Sequence, residues 1–166
     1  LGWTDVNRYF AFERWLETLG AFGIDRGSAA VASADASFRR YFRFDSPAGT
    51  RIVMDAPPEH ENCEPFVRVA ALLRAAGLNA PEVLDWNVQD GFMLLSDLGT
   101  RTYLSQLDEH NAPRLYGDAL AALVCMQGVG EDAARPPGSG AAVPPYDETL
   151  LRREMALFPE WYISRH

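Results

Sequence analysis

Residues 34–58, ADASFRRYFRFDSPAGTRIVMDAPP, constrain the fold more than any other stretch of the chain. In 38–44, Phe38, Arg40, Phe42 and Phe44 fall on one side of an extended backbone, and Arg39, Tyr41 and Arg43 on the other. Alternation of this kind, rich in aromatics, is a strand pattern. Ser46-Pro47-Ala48-Gly49 then turns the chain, and the β-branched run 50–55 returns as a second strand. All 15 basic side chains of the sequence, other than histidine, are arginines. Any cation that this hairpin presents is therefore a guanidinium.

Composition narrows the function classes. A hydrophobic fraction of 48% in 166 residues is that of a folded globular chain with one sizeable core. The net charge of −8 opposes nonspecific nucleic-acid binding, because phosphate repulsion dominates the encounter. The longest apolar runs, such as 92–95, are too short to span a bilayer, and no charged-then-apolar leader opens the chain. Cys63 and Cys125 lie far apart with no pairing signature, so reduced thiols and a cytoplasmic setting are expected. A start at Leu1 and a finish at Arg165-His166, inside a helical pattern, read as part of a longer protein.

The order of elements suits an α+β fold. Thr4 or Asp5 caps a first helix running to about Leu19, with Val6, Tyr9, Phe12, Leu16 and Leu19 near one face. A short strand at 29–32 precedes the hairpin. After Pro57-Pro58, Asn62 is a helix cap, and Phe66, Val69, Ala70 and Leu73 form an apolar stripe up to Gly77. Two more strands, 83–88 and 92–96, meet at an Asp90-Gly91 turn. This predicts a five-stranded antiparallel sheet with one helix packed on it. From Asp97 onward the chain reads as helical: 102–107, 113–127, a Gly/Ala/Pro-rich loop over 128–145, and a last helix from Asp147 to Phe158 that Pro159 ends or kinks.

Several groups of residues can carry chemistry. The turn Asp35-Ala36-Ser37 offers backbone N–H groups, with the Ser33 and Ser37 hydroxyls, to phosphate oxygens; an ordinary polar turn is the alternative. Arg39, Arg40 and Arg43 suit bidentate contacts to phosphate, although surface strands also carry arginine for solubility. Near the far end, Arg153, Glu154, Trp161 and His166 combine ring stacking with charged hydrogen-bond partners, as recognition of a polar ring such as a sugar requires. There the competing reading is an amphipathic helix whose aromatics are core. His60, His110, His166 and the cysteines have no metal-ligand spacing, and no Ser-His-Asp or paired-carboxylate motif stands out.

Four separated blocks, SADASFRRYFRF (33–44), VMDAPPEHENCEPF (53–66), GFMLLSDLGTRTYL (91–104) and YDETLLRREMALFPEWYISRH (146–166), together resemble the aminoglycoside phosphotransferase-like small-molecule kinases. The resemblance is greatest to the bacterial anomeric kinases of N-acetylmuramate and N-acetylglucosamine, and covers nearly the whole chain. It implies a protein-kinase-like N-lobe over 1–97 and, over 98–166, a hinge and the first, incomplete part of a helical C-lobe. It also implies ATP and Mg²⁺ as cofactors, an amino sugar as the small-molecule partner, and a place in peptidoglycan recycling. The family's H-x-D-x-x-x-x-N catalytic loop and metal-binding D-F-x segment do not occur, so no catalytic residue is expected within this chain. A kinase for another small hydroxyl substrate, or a non-catalytic binding domain, are the alternatives.

The same resemblance implies the nucleotide site. Ile52–Asp55 lines up with the Val-Ala-Ile-Lys of kinase strand three, which sets Val53 against an adenine and Asp55 in the place of the lysine. A carboxylate beside a triphosphate needs a partner, expected to be Arg40 or Arg43 on the neighbouring strand, opposite faces of which they occupy. Glu61 and Glu64 fall near the position of the kinase helix-C glutamate, although helix starts attract carboxylates in any case. Leu95, Ser96 and Asp97 have the shape of a hinge whose backbone pairs with the adenine edge, a buried edge strand being the alternative, while Ser33, Asp35, Ser37 and Arg40 surround the phosphates.

Overall fold

The computed structural model describes residues 2–3, 5–34, 38–129 and 145–164. It divides into two compact units, residues 1–129 and 130–166, each described by itself. The expected loop at 128–145 lies largely outside the described residues.

In the first unit Asp5 caps helix α1 (Val6–Thr18), its carboxylate accepting from the amides of Asn7 at 2.8 Å and Arg8 at 3.2 Å. A 3-10 turn, Leu19–Phe22, follows. Strands β1 (Asp25–Ala34), β2 (Arg40–Asp45), β3 (Arg51–Asp55), β4 (Val83–Asn87) and β5 (Phe92–Ser96) form one antiparallel sheet in the order β1-β2-β3-β5-β4. Helix α2 (Glu64–Ala75) joins β3 to β4.

The sheet carries a helix on each face, one more than expected, because its strands are apolar on both sides. Phe42, Val53 and Leu94 share one rung, and with Phe44 and Phe92 they pack against Phe12, Trp15, Leu16 and Leu19. The Phe12 and Phe92 rings meet edge-on at 5.5 Å, and the Trp15 indole N–H donates to Asp85 Oδ1 at 3.0 Å. The next rung, Tyr41, Met54, Met93 and Trp86, faces the opposite way, toward Cys63, Phe66 and Val67 at the start of α2. The buried stripe of α1 is therefore Phe12, Trp15, Leu16 and Leu19, at i, i+3, i+4 and i+7. Val6, expected to share it, is exposed.

Strand β1 is 10 residues long, against the four expected from the sequence. Its register shifts between Asp25 and Ala30, and side chains complete the pairing there. The amide of Asp45 donates to Ser28 Oγ at 2.7 Å, and that hydroxyl donates to the Asp25 carbonyl at 2.7 Å. Between β4 and β5, Gly91 has φ +70°, and a Cβ there would lie 2.0 Å from the carbonyl oxygen of Ala56. Only glycine fits that turn.

Beyond β5 the first unit continues with a short helix α3 (Tyr103–Gln106), capped by Thr102, and with α4 (Ala112–Gln127). Leu115 is the buried residue of α4; Tyr116, Leu120, Leu123, Val124 and Met126 are exposed. In the second unit Asp147 caps α5 (Glu148–Leu157), its carboxylate accepting from the Leu150 amide at 2.8 Å. Pro159 does not stop the helix. Six residues, Phe158–Ile163, continue it as a π-helix, whose wider turn makes room for a ring that has no N–H to donate.

Candidate functional site, a cleft beside the α2 face

A cleft of about 360 Å³ opens on the α2 side of the sheet, where β5 gives way to the connection toward α3. Ala32 and Ser33 of β1, Tyr41 and Arg43 of β2, and Ile52 of β3 form its floor. Phe66 and Pro81 wall one side, and Leu95 to Gly99 close the end. The lining is mostly apolar with a few convergent polar groups, and the volume falls within the range of small-molecule sites. A second hollow of about 560 Å³ lies alongside, between Leu98–Tyr103 and α4, and shares Leu98 and Gly99 with the first.

One ion pair fixes the end of the cleft. Arg43 Nε donates to Asp97 Oδ2 at 2.6 Å, and Arg43 Nη2 donates to Asp97 Oδ1 at 3.1 Å and to the Gly99 carbonyl at 3.3 Å. The Gly99 amide donates to the same carboxylate at 2.8 Å. The Asp97 side chain is nearly buried, and the Arg43 guanidinium, helped by the Thr50 hydroxyl and the Gly99 amide, holds its pKa far below the usual carboxylate range. Strand β2 is thereby bonded to the segment that leaves the sheet.

The hinge backbone is only partly open. Leu95 pairs with Ile52 on one side and Val83 on the other. Ser96 donates its amide to the Glu82 carbonyl at 2.9 Å and accepts the Glu82 amide on Oγ at 2.8 Å. Backbone groups able to meet a planar ligand edge thus begin at Asp97.

Of the residues expected around a nucleotide, Ser33, Leu95, Ser96 and Asp97 line this cleft. Asp35 and Ser37 lie outside the described residues. Arg40, Val53 and Asp55 face the other way, and here the expectation needs correcting. Alternation along β3 sends Ile52 and Met54 toward α2 and Val53 and Asp55 toward α1. Val53 is fully buried in the α1-side core, so Ile52 takes the position against the cleft. Asp55 is also fully buried. Its Oδ1 accepts from Arg8 Nε at 2.8 Å and its Oδ2 from Arg40 Nε at 2.8 Å, with the Nη2 group of each arginine on the same oxygens. Arg8 also donates to the Asp90 carbonyl at 2.9 Å, and the Arg40 guanidinium lies 3.8 Å over the Trp3 ring. Asp55 does pair with Arg40, but the pair ties α1 to the back of the sheet.

In the second unit Arg153, Glu154 and Trp161 are exposed, Arg153 Nη2 standing 3.5 Å from Glu154 Oε1. His166 lies outside the described residues. Tyr41, Ile52 and Phe66 line the cleft without standing out in the sequence as site residues. The signal that finds them is the two-residue alternation of β2 and β3, once the face that receives α2 is known.

The fold and the cleft define a class. Residues 28–162 match the model of the phosphotransferase enzyme family, and the chain belongs to that family. It is 50% identical over 135 residues to the N-acetylmuramate/N-acetylglucosamine kinase of Pseudomonas aeruginosa, a match covering 81% of this chain and 38% of that protein. It is 42% identical to the kinase of the same name from Pseudomonas putida, over 98% of this chain and 44% of the relative. With the corresponding Neisseria meningitidis protein it shares 32% identity, over 96% and 46%. The chain thus spans less than half the length of these relatives. The α+β fold, with a five-stranded antiparallel sheet of the kinase N-lobe type, agrees with the resemblance. No helix among the described residues is long and apolar enough to cross a membrane.

Proposed function

We propose that this chain is the nucleotide-binding part of an ATP-dependent kinase that phosphorylates the anomeric hydroxyl of N-acetylmuramate or N-acetylglucosamine. The observation that carries the reading is the cleft itself: apolar walls from Ile52, Phe66 and Leu95, closed by the Arg43–Asp97 pair, in a chain of this family. An adenine lies between Ile52 and Leu98, its edge toward the backbone from Asp97 onward. Residues 1–97 form the nucleotide lobe, and 98–166 begin the lobe that holds the sugar, with Arg153, Glu154, Trp161 and His166 on the sugar side. The catalytic base is a residue outside this chain.

Mg²⁺ accompanies ATP in such a transfer. Among the described residues no group of three His, Cys, Asp or Glu side chains could hold a metal, and Asp55 and Asp97 are both occupied by arginine. No residue here is therefore assigned to it. Cell-wall sugar recycling in the cytoplasm, where ATP is available, is the setting that fits the substrate.

Transfer of labelled phosphate from ATP by the full-length protein, across a sugar and alcohol panel, tests the reading. Label on N-acetylated amino sugars is expected. Label only on some other alcohol would remove the sugar assignment, and no transfer to any acceptor would remove the kinase.

A further inference from the structure

A nucleotide brings several negative charges into an acidic protein, and without lysine the permanently charged side chains that can meet them are all guanidinium groups. Along β2 and the residue that precedes it, alternation places Arg39 and Arg43 on the cleft side. Arg43 is bonded to both oxygens of Asp97 and to Gly99 at the base end of the cleft. Arg39 stands four residues away, which at roughly 3.3 Å per strand residue is about 13 Å along the sheet. That displacement is the reach of a ribose and its phosphate chain beyond a base seated at Ile52. A hollow lined by Arg39, Val69 and Leu73 adjoins the cleft and shares Phe66 and Pro81 with it.

Arg39 is also held in place. Its Nε donates to Glu61 Oε2 at 2.9 Å, with the Arg39 side chain about a quarter exposed and the Glu61 side chain less so. The preceding residue makes a parallel contact, the Phe38 ring stacking on His60 at 4.2 Å. His60 and Glu61 are presented by a turn in which both amides donate to the Pro57 carbonyl at 2.9 Å. Two successive side chains before β2 thus meet two successive side chains before α2. A carboxylate tether orients the guanidinium, and its partial exposure keeps it within reach of a ligand in the hollow.

We propose that Arg39 is the residue that receives the phosphate groups of a nucleotide in this cleft, and that Glu61 is the positioning residue that aims it. The proposal rests on the nucleotide reading above and adds the cation that this reading lacks. It also locates that cation at the start of β2, away from β3, where Met54 faces α2 and offers no charge.

The test is calorimetric titration of the full-length protein with adenosine, ADP and ATP. Arg39→Ala should weaken ADP and ATP by about ten- to a hundredfold, the range of a charge-assisted hydrogen bond, and leave adenosine unchanged. Arg39→Lys should restore part of the loss, and Glu61→Gln should show the same ligand pattern with a smaller amplitude. Unchanged adenosine affinity serves as the control for folding. If Arg39→Ala binds ATP as tightly as the wild type, or if all three ligands weaken together, Arg39 is not the phosphate residue. A wild-type protein that binds none of the three overturns the nucleotide reading itself, which is a different outcome from either.

Discussion

Arg43 Nε and Asp97 Oδ2 lie 2.6 Å apart, the shortest of three bonds by which Arg43 joins the second strand of the sheet to the segment that leaves it. The pair makes stability depend on acid in a definite direction. In the folded protein Asp97 titrates well below its ordinary value, so its contribution is fully present above the unfolded pKa of about 4. It is lost as pH falls from there through the folded pKa. Asp97→Asn should therefore lower stability near neutrality, by about 2 kcal/mol, and flatten the acid limb of the profile. Thermal unfolding of both proteins between about pH 3 and pH 7 checks this; parallel curves would show that the pair contributes nothing.

Asp55 is the most consequential buried charge. Its removal leaves Arg8 and Arg40 facing each other across an empty position, so Asp55→Ala should cost about 3–5 kcal/mol. Because the carboxylate points toward α1, the variant that remains folded at low temperature should keep its adenosine affinity. Urea unfolding measures the first effect and ligand titration the second. Lost adenosine affinity in a folded variant would contradict the placement.

The neighbouring residues of β3 separate by face. Val53→Ala opens a cavity in the α1-side core and should cost about 2 kcal/mol without altering adenosine binding. Ile52→Ala should do the reverse, weakening adenosine with a smaller stability loss. Measuring both quantities on both variants decides which side of the strand meets the ligand.

At the β4–β5 turn, Gly91→Ala forces a Cβ onto the Ala56 carbonyl at a φ that L-residues rarely adopt. A destabilisation of about 2–3 kcal/mol is expected from strain and displaced backbone together, read from the urea midpoint. A shift within error would mean that the turn relaxes freely.

Much of this is legible in the residues themselves. Alternation in 38–44 correctly separates Phe42 and Phe44 from Tyr41 and Arg43, because period two is a local property of extended backbone. What alternation cannot state is which side a distant helix will cover. That choice comes from the packing of Cys63, Phe66 and Val67 against Met54 and Met93, and it reverses the assignment of Val53 and Asp55. The full length of β1 is hidden for a related reason. Asp25-Arg26-Gly27-Ser28 has little strand propensity, and it is kept in the sheet by Ser28 bonding to Asp45 across the gap. Trp15 does not stand out because Val6 and Tyr9 complete an equally regular helical stripe, and only the position of Phe92 shows which stripe is inside.

The arginines beside the cleft also govern how the protein will respond to alkali. Guanidinium groups keep their proton to beyond about pH 12, and both Arg39 and Arg43 are shifted further upward. The ammonium deprotonation that silences lysine-dependent sites in mild base has no counterpart here.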